Sequence, residues 1–302
     1  MNFLTEDYGK VAILVVTYNR INDLKHCVSL LKEQTYDNYD IIIVNNGSTD
    51  GTKKYLDSQS DVIVINQENL GGAGGFHAGM RYMYENGYDW LLMMDDDGIP
   101  DENELINLLE NYEKAKNFNN GNDCIVNALV VNKDDKEELA FSWGVNSNRS
   151  QRTCDYRTDM FFFGIHPFNG TLIKRSIIEK IGYVKKEMFI WGDEEEYMLR
   201  AKANGFGLVT ICSSIHRHPK EKAEKGYLFP LPKKYYILKK PKKLSHIFYR
   251  NKGYNYSHYK EKSPLLWKFF LCHFYYNLIH FDFSELNKLC KYYKKGLYAN
   301  FE

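Results

Sequence analysis

The chain has 302 residues, 44% of them hydrophobic, and a formal net charge of +1. That length supports one sizeable core with residues left for a second element, in one or two domains. The near-neutral total hides an asymmetry. Residues 1–216 carry 21 Lys+Arg against 33 Asp+Glu, and residues 217–302 carry 19 against 6. An acidic body with a basic tail points the tail at an anionic partner: a membrane surface, a nucleic acid or an acidic ligand. The six cysteines are scattered without CxxC spacing, which argues against a zinc site. The opening MNFLTEDYGK has no apolar core and does not support a secretory signal. Both observations favour a reducing, cytoplasmic setting.

In chain order, Val11 to Thr17 is a continuous apolar, β-branched run and reads as a buried strand. Ile21 to Gln34 has helical apolar spacing at Leu24, Val28 and Leu31. Tyr39 to Val44 is a second strand, ending in the polar loop Asn45 to Asp50 before a short helix near Thr52 to Leu56. Val62 to Ile65 is a third strand, followed by a glycine-rich loop and a helix over Phe76 to Glu85. Trp90 to Met94 is a fourth strand that runs directly into Asp95-Asp96-Asp97, after which Gly98-Ile99-Pro100 turns the chain. Alternating strands and helices imply βαβ units and a parallel sheet, with ligands at the carboxyl ends of the strands. Further on, Ile125 to Val131 is a strand and Phe161 to Pro167 an aromatic pocket wall. Arg175 to Ile181 and Glu194 to Asn204 are helices stopped by glycine. Beyond Pro219 the chain turns Lys- and Tyr-rich, with two helices expected near Pro264 to His280 and Ser284 to Tyr298. The apolar stretch Leu265 to Phe283 contains Lys268, His273, His280 and Asp282, so it is a poor spanning helix and a better interfacial one.

Three adjacent carboxylates repel one another unless a cation or solvent offsets them. At the end of a buried strand, a hard divalent ion bound through oxygen is the natural answer, against the bland alternative of a solvated acidic turn. Mg²⁺ or Mn²⁺ there would bridge a carboxylate and a diphosphate. Asn69-Leu70-Gly71-Gly72-Ala73-Gly74-Gly75-Phe76 lets backbone N–H groups approach a ligand, though it lacks the ending of a Walker loop. Asp193-Glu194-Glu195-Glu196 sits at a helix start, where the helix dipole favours acids. The aromatic lead-in Met188 to Trp191 also allows a carboxylate of raised pKa to act as general base. His216 and His218 follow a strand, and either is able to complete an aspartate metal site.

Val15-Val16-Thr17-Tyr18-Asn19-Arg20, the Asn45 to Asp50 loop and the acidic triplet after a strand together resemble family 2 glycosyltransferases of the GT-A fold. The pattern covers about the first two-thirds of the chain. More narrowly, Asn69 to Met80 (NLGGAGGFHAGM) and Phe189 to Arg200 (FIWGDEEEYMLR) look like segments of bacterial galactofuranosyltransferases. Rhamnosyltransferases of the broad family carry a different loop there. The resemblance implies an α/β GT-A domain, Rossmann-like and mostly parallel, over residues 1–220, and a basic, mostly helical region over 221–302. It implies an inverting, metal-dependent transfer of galactofuranose from UDP-galactofuranose, with Mn²⁺ or Mg²⁺, onto a glycan or lipid-linked glycan acceptor. Arg20, Asn46 and Asn69 then match positions touching uridine diphosphate, and Thr17, Asn19 and Gly74 join the same donor site. Asp95 and Asp97 match the metal-binding acids, and Asp96 lies beside the donor. Asp193 and Glu194 match a pair of aspartates of which the second is the base; Glu194 is that position here and Asp193 the alternative. His218 matches the histidine ligand, with His216 as fallback. Trp191, one place from the family's tryptophan, and Phe189 are assigned to the acceptor.

The tail lysines Lys233, Lys234, Lys239, Lys240, Lys242 and Lys243 suit a cytoplasmic anionic membrane face, at up to ~1 kcal/mol each. The competing reading is a helical cap or a homo-oligomer contact. A nucleic-acid-binding module has no motif behind it, so no nucleic acid is expected as a partner. A nucleotidyltransferase would place its glycine-rich loop after the first strand.

Overall fold

A computed structural model describes residues 8–143, 152–220, 224–232, 235–261 and 266–301. The chain opens with β1 (Val11–Thr17), α1 (Ile21–Leu31), β2 (Tyr39–Asn46), α2 (Thr52–Leu56), β3 (Ile63–Gln67), α3 (Gly71–Glu85) and β4 (Trp90–Asp95). β2 and β4 flank β1 in parallel, and β3 extends β2 in parallel. Every residue of β1 is buried, because the strand is covered on both faces. Its side chains alternate between two cores. Ala12, Leu14 and Val16 pack with Phe76, Met80 and Met83 of α3, while Val11, Ile13 and Val15 pack with Leu24, Val28 and Leu31 of α1.

The chain continues through β5 (Ile99–Pro100), α4 (Glu104–Glu110), α5 (Tyr112–Phe118), β6 (Cys124–Asn132), β7 (Phe161–Phe163), β8 (Thr171–Lys174), α6 (Arg175–Ile181), α7 (Asp193–Ala203) and β9 (Gly207–His218). The sheet order is β3-β2-β1-β4-β8-β6-β9-β5, with β7 also on β9. The α/β layering is as expected, but the sheet is mixed. β8 runs antiparallel to β4 and β6, and β5 and β7 run antiparallel to β9. Parallel neighbours need a crossover connection, usually a helix. Among the described residues no α-helix lies between β6 and β8.

The glycine-rich run is not a loop: α3 begins at Gly71. Its glycines let the helix lie directly on β1. A Cβ on Gly75 would stand 2.4 Å from Val16 Cγ1, and one on Gly79 2.2 Å from Leu14 Cδ1. Phe161 to Phe163 is likewise a strand, stacked beside Phe118 of α5.

The C-terminal region holds a ladder of β10 (Lys225–Tyr227) and β11 (Tyr236–Leu238). Three helices follow rather than two: α8 (Ser245–Tyr259), α9 (Leu266–Ile279) and α10 (Phe283–Leu297). α8 lacks a clean apolar stripe and is rich in Asn, Tyr and His, so periodicity does not reveal it. It meets α10 backbone to backbone, since a Cβ on Gly296 would stand 1.9 Å from the Arg250 carbonyl oxygen. Lys233, Lys234, Pro264 and Leu265 lie outside the described residues. Among the described residues no helix is long and apolar enough to cross a membrane.

Candidate active site

β1 and β4 are parallel neighbours with Val16 level with Asp95, so the polar ends of both strands open at one edge. Thr17 Oγ1 donates to Asp96 Oδ2 at 2.8 Å. Arg20 Nη1 donates to Asp96 Oδ1 at 3.2 Å and to Asp97 Oδ2 at 2.8 Å. After the triplet, Gly98 N–H closes a turn on the Asp95 carbonyl, and Ile99–Pro100 pairs with Arg217 and His216 of β9. That short pairing delivers the end of β9 to the triplet. His218 Nε2 lies 3.2 Å from Asp97 Oδ1.

Among the described residues, Asp95, Asp97 and His218 form the one group able to hold a metal ion, their ligand atoms all within 4.8 Å of one another. The donor set suits the expected cation: hard carboxylate oxygens with one imidazole. The tautomer suits it too. His218 Nδ1–H donates to the Pro219 carbonyl at 2.7 Å, which turns Nε2 toward the acids. The electrostatics show the strain of the cluster. Burial, then repulsion from Asp97 and Asp96, pushes Asp95 up to about 7. Burial also pushes Asp96 up to about 6, against the pull of Thr17 and Arg20. Asp97 is desolvated as well, but the bond and charge of His218, with Arg20, hold it below the usual carboxylate range. His218 moves up in turn: burial opposes its charge, and the Asp97 hydrogen bond and charge prevail.

His216 stands apart. It is fully buried, with Nδ1 at 3.0 Å from Glu104 Oε2, and it belongs to the packing beneath β9. Of the two asparagines expected at the donor, Asn46 is buried and Asn69 is exposed. Asn46 Nδ2 donates to Asn69 Oδ1 and the Gly71 carbonyl, and its Oδ1 accepts from Gln67 Nε2 and Leu70 N–H. Those four bonds use the full capacity of an amide side chain. Asn69 Oδ1 also accepts from Gly71 N–H at 3.0 Å. Both residues therefore shape the entry into α3. Gly74 is buried in the first turns of α3, facing Leu70. Asn19, at φ +55°, ties the β1 loop to the β2 loop: its N–H donates to Ser48 Oγ, and its Oδ1 accepts from Thr49 N–H at 2.7 Å.

The second acidic group begins α7. Asp193 is buried, and its pKa is driven well up by burial first and by the Glu194 charge and hydrogen bond next; the Asp95 charge also reaches it. Glu194 Oε2 accepts from Gly192 N–H at 3.0 Å. The lead-in is strained: Phe189 and Trp191 adopt φ +64° and +58°, a region that non-glycine residues avoid. Phe189 uses its carbonyl to accept from Ala73 N–H at 3.1 Å. Trp191 packs edge-on to Phe248 with Lys240 over its ring, so its ring is engaged by the C-terminal region.

What holds that turn was missed in the sequence. Asn251 Nδ2, fully buried on α8, lies 2.8, 3.1 and 2.9 Å from the carbonyls of Met188, Ile190 and Trp191. One turn on, Asn255 Nδ2 donates to the Gly192 carbonyl at 3.1 Å and to Glu195 Oε2 at 2.7 Å. Arg250 adds a bond to the Glu187 carbonyl. The i, i+4 spacing of Asn251 and Asn255 was the available clue, lost because no helix was expected there.

The chain thus sets an Asp-Asp-His cluster at the strand ends of a mixed α/β sheet, the edge where such sheets bind ligands. Residues 12–182 match the description Glycosyl transferase family 2, and the chain belongs to that family. It is 31% identical over 221 residues to the galactofuranosyltransferase GlfT1 of Mycobacterium tuberculosis, covering 69% of this chain and 70% of that one. To GlfT1 of Mycolicibacterium smegmatis it is 27% identical over 218 residues, with the same coverage. Among solved structures it resembles GalNAc-T7 with UDP, GalNAc and Mn²⁺, at TM-score 0.55 and 14% identity, over 84% of this chain and 49% of that one. That likeness concerns the fold.

Proposed function

We propose that this transferase moves galactofuranose from UDP-galactofuranose, with inversion, onto a hydroxyl of a lipid-linked cell-surface glycan precursor. The observation that carries the reading is the Asp95-Asp97-His218 cluster, in a chain whose relatives include galactofuranosyltransferases. Asp95, Asp97 and His218 would hold Mn²⁺ or Mg²⁺, which when bound supplies a positive centre for the leaving diphosphate. Arg20 adds a cation on the same side, bridging Asp96 and Asp97. The Asp193–Glu194 pair accepts the proton of the acceptor hydroxyl as its oxygen attacks the anomeric carbon. Within the pair the base is Glu194, with Asp193 as the alternative. Thr17 steadies Asp96, while Asn19, Asn46, Asn69 and Gly74 shape the loops around the donor. Phe189 and Trp191 border the acceptor side.

Residues 1–220 form the catalytic domain in this reading, and 221–302 a basic region that meets the cytoplasmic face of the membrane. Lys239, Lys240, Lys242 and Lys243 supply attraction to anionic lipid.

The test is a donor screen with Mn²⁺ and a lipid-linked acceptor, comparing UDP-galactofuranose, UDP-galactopyranose, UDP-glucose and dTDP-rhamnose. UDP-galactofuranose is expected to give the highest kcat/KM. Preference for dTDP-rhamnose overturns the sugar assignment.

A further inference from the structure

The helix α9, LWKFFLCHFYYNLI, is apolar around most of its circumference, a composition that suits a helix covered on all sides. One face is covered. Leu266, His273 and Asn277 are buried, and Phe269 and Phe270 pack toward Phe248, Tyr249 and Leu289. The other face is bare. Trp267, Leu271 and Leu278 recur at helical spacing and are 46%, 51% and 43% exposed. At the corner into α10, Phe281 and Phe283 lie with ring centroids 6.3 Å apart, 77% and 60% exposed. The hairpin between β10 and β11 adjoins the same helix, because Tyr275 Oη–H donates to the Phe229 carbonyl at 2.8 Å. At its tip the Phe229 side chain is 77% exposed. Scattered apolar residues are ordinary on a surface, but a cluster on adjoining elements marks an interaction face.

We infer that this face inserts into an anionic lipid surface, with the surrounding lysines serving as its electrostatic collar. The inference rests on the membrane reading above and gives it an apolar contact that lysines alone do not provide. Charge selects the occupant. Residues 217–302 carry 19 Lys+Arg against 6 Asp+Glu, so a second copy of the chain would press like charge against like charge. An anionic leaflet brings the opposite sign. Lys268 sits beside Trp267 on the bare face, and Lys242 flanks the corner through its ion pair with Asp282. Long basic side chains bury their stems along apolar surface while the charge stays in water. An aromatic face with a basic rim is the composition of an interfacial helix.

The test uses the full chain and flotation with vesicles of phosphatidylcholine alone or mixed in equal parts with phosphatidylglycerol, at low and high salt. Leu271→Ser and Phe281→Ser remove apolar surface without changing charge, at exposed positions outside the active site. Wild type is expected to float with the anionic vesicles and to stay partly bound at high salt. The double variant should bind about tenfold or more weakly at either salt, with unchanged circular dichroism and unchanged donor turnover in solution. If wild type is fully released by salt and the double variant binds as well as wild type, the lysines act alone; insertion is overturned and peripheral attachment survives. Wild type that ignores anionic vesicles overturns both. Light scattering that finds a dimer in wild type and a monomer in the double variant assigns the face to a second copy, and overturns the inference.

Discussion

Asp95 carries a heavy electrostatic burden, and a pH dependence follows from it. Burial and the neighbouring carboxylates push its carboxyl up to about 7 against an ordinary 3.8. A raised acid binds its proton more tightly in the folded state than in the unfolded one. Stability is therefore lost as pH rises from about 4 to about 7, and the loss is complete above that. A divalent cation binds the ionised form and relieves the burden. His218, raised by Asp97, must also release its proton before Nε2 can bind metal. The gain in Tm on adding Mn²⁺ should accordingly be small at pH 5.5 and grow toward pH 8, as read by scanning calorimetry. A gain independent of pH would contradict this picture. The triplet was legible in the sequence because it abuts an apolar strand. The choice between His218 and His216 was not, because it depends on which face of β9 each residue takes and on a buried partner, Glu104, 112 positions away.

The turn before α7 shows how one element governs another. Phe189 and Trp191 hold left-handed backbone, a conformation that persists only where the surroundings over-determine it. The Asn251 side chain shares its two N–H groups among three carbonyls of that turn. Asn251→Ala leaves buried carbonyls unpaired and should cost about 1–3 kcal/mol in a denaturant titration. Because the turn leads directly into Asp193 and Glu194, kcat should fall by more than the KM for donor rises. An unchanged kcat would separate α8 from catalysis. The βα alternation up to β4 could be read because each segment is a clean apolar run or a clean helical stripe. α8 could not, since its contacts are polar side chains and glycines. The helical start of α3 was hidden for a related reason: glycine reads as loop in a sequence, and only the presence of β1 beneath it makes close helix packing its use.

At the scale of the whole molecule, two acidic groups are built by different parts of the chain. β1, β4 and β9 assemble the cluster of Arg20, Asp95, Asp97 and His218, while α7, braced by α8, carries Asp193 and Glu194 at its start. The α/β layering and the acidic triplet were readable locally. The antiparallel insertion of β8 and the bracing by the C-terminal region were not, because both depend on contacts between distant segments. In the proposed reading Asp95, Asp97 and His218 hold the cation on which donor binding depends. Isothermal titration of Mn²⁺ into the protein with UDP tests it most directly, comparing wild type with Asp97→Ala and with a His216→Gln control. The structure predicts one Mn²⁺ per wild-type chain, affinity at least about tenfold weaker in Asp97→Ala, and a bound ion retained in the control. Equal Mn²⁺ affinity in wild type and Asp97→Ala would contradict the account.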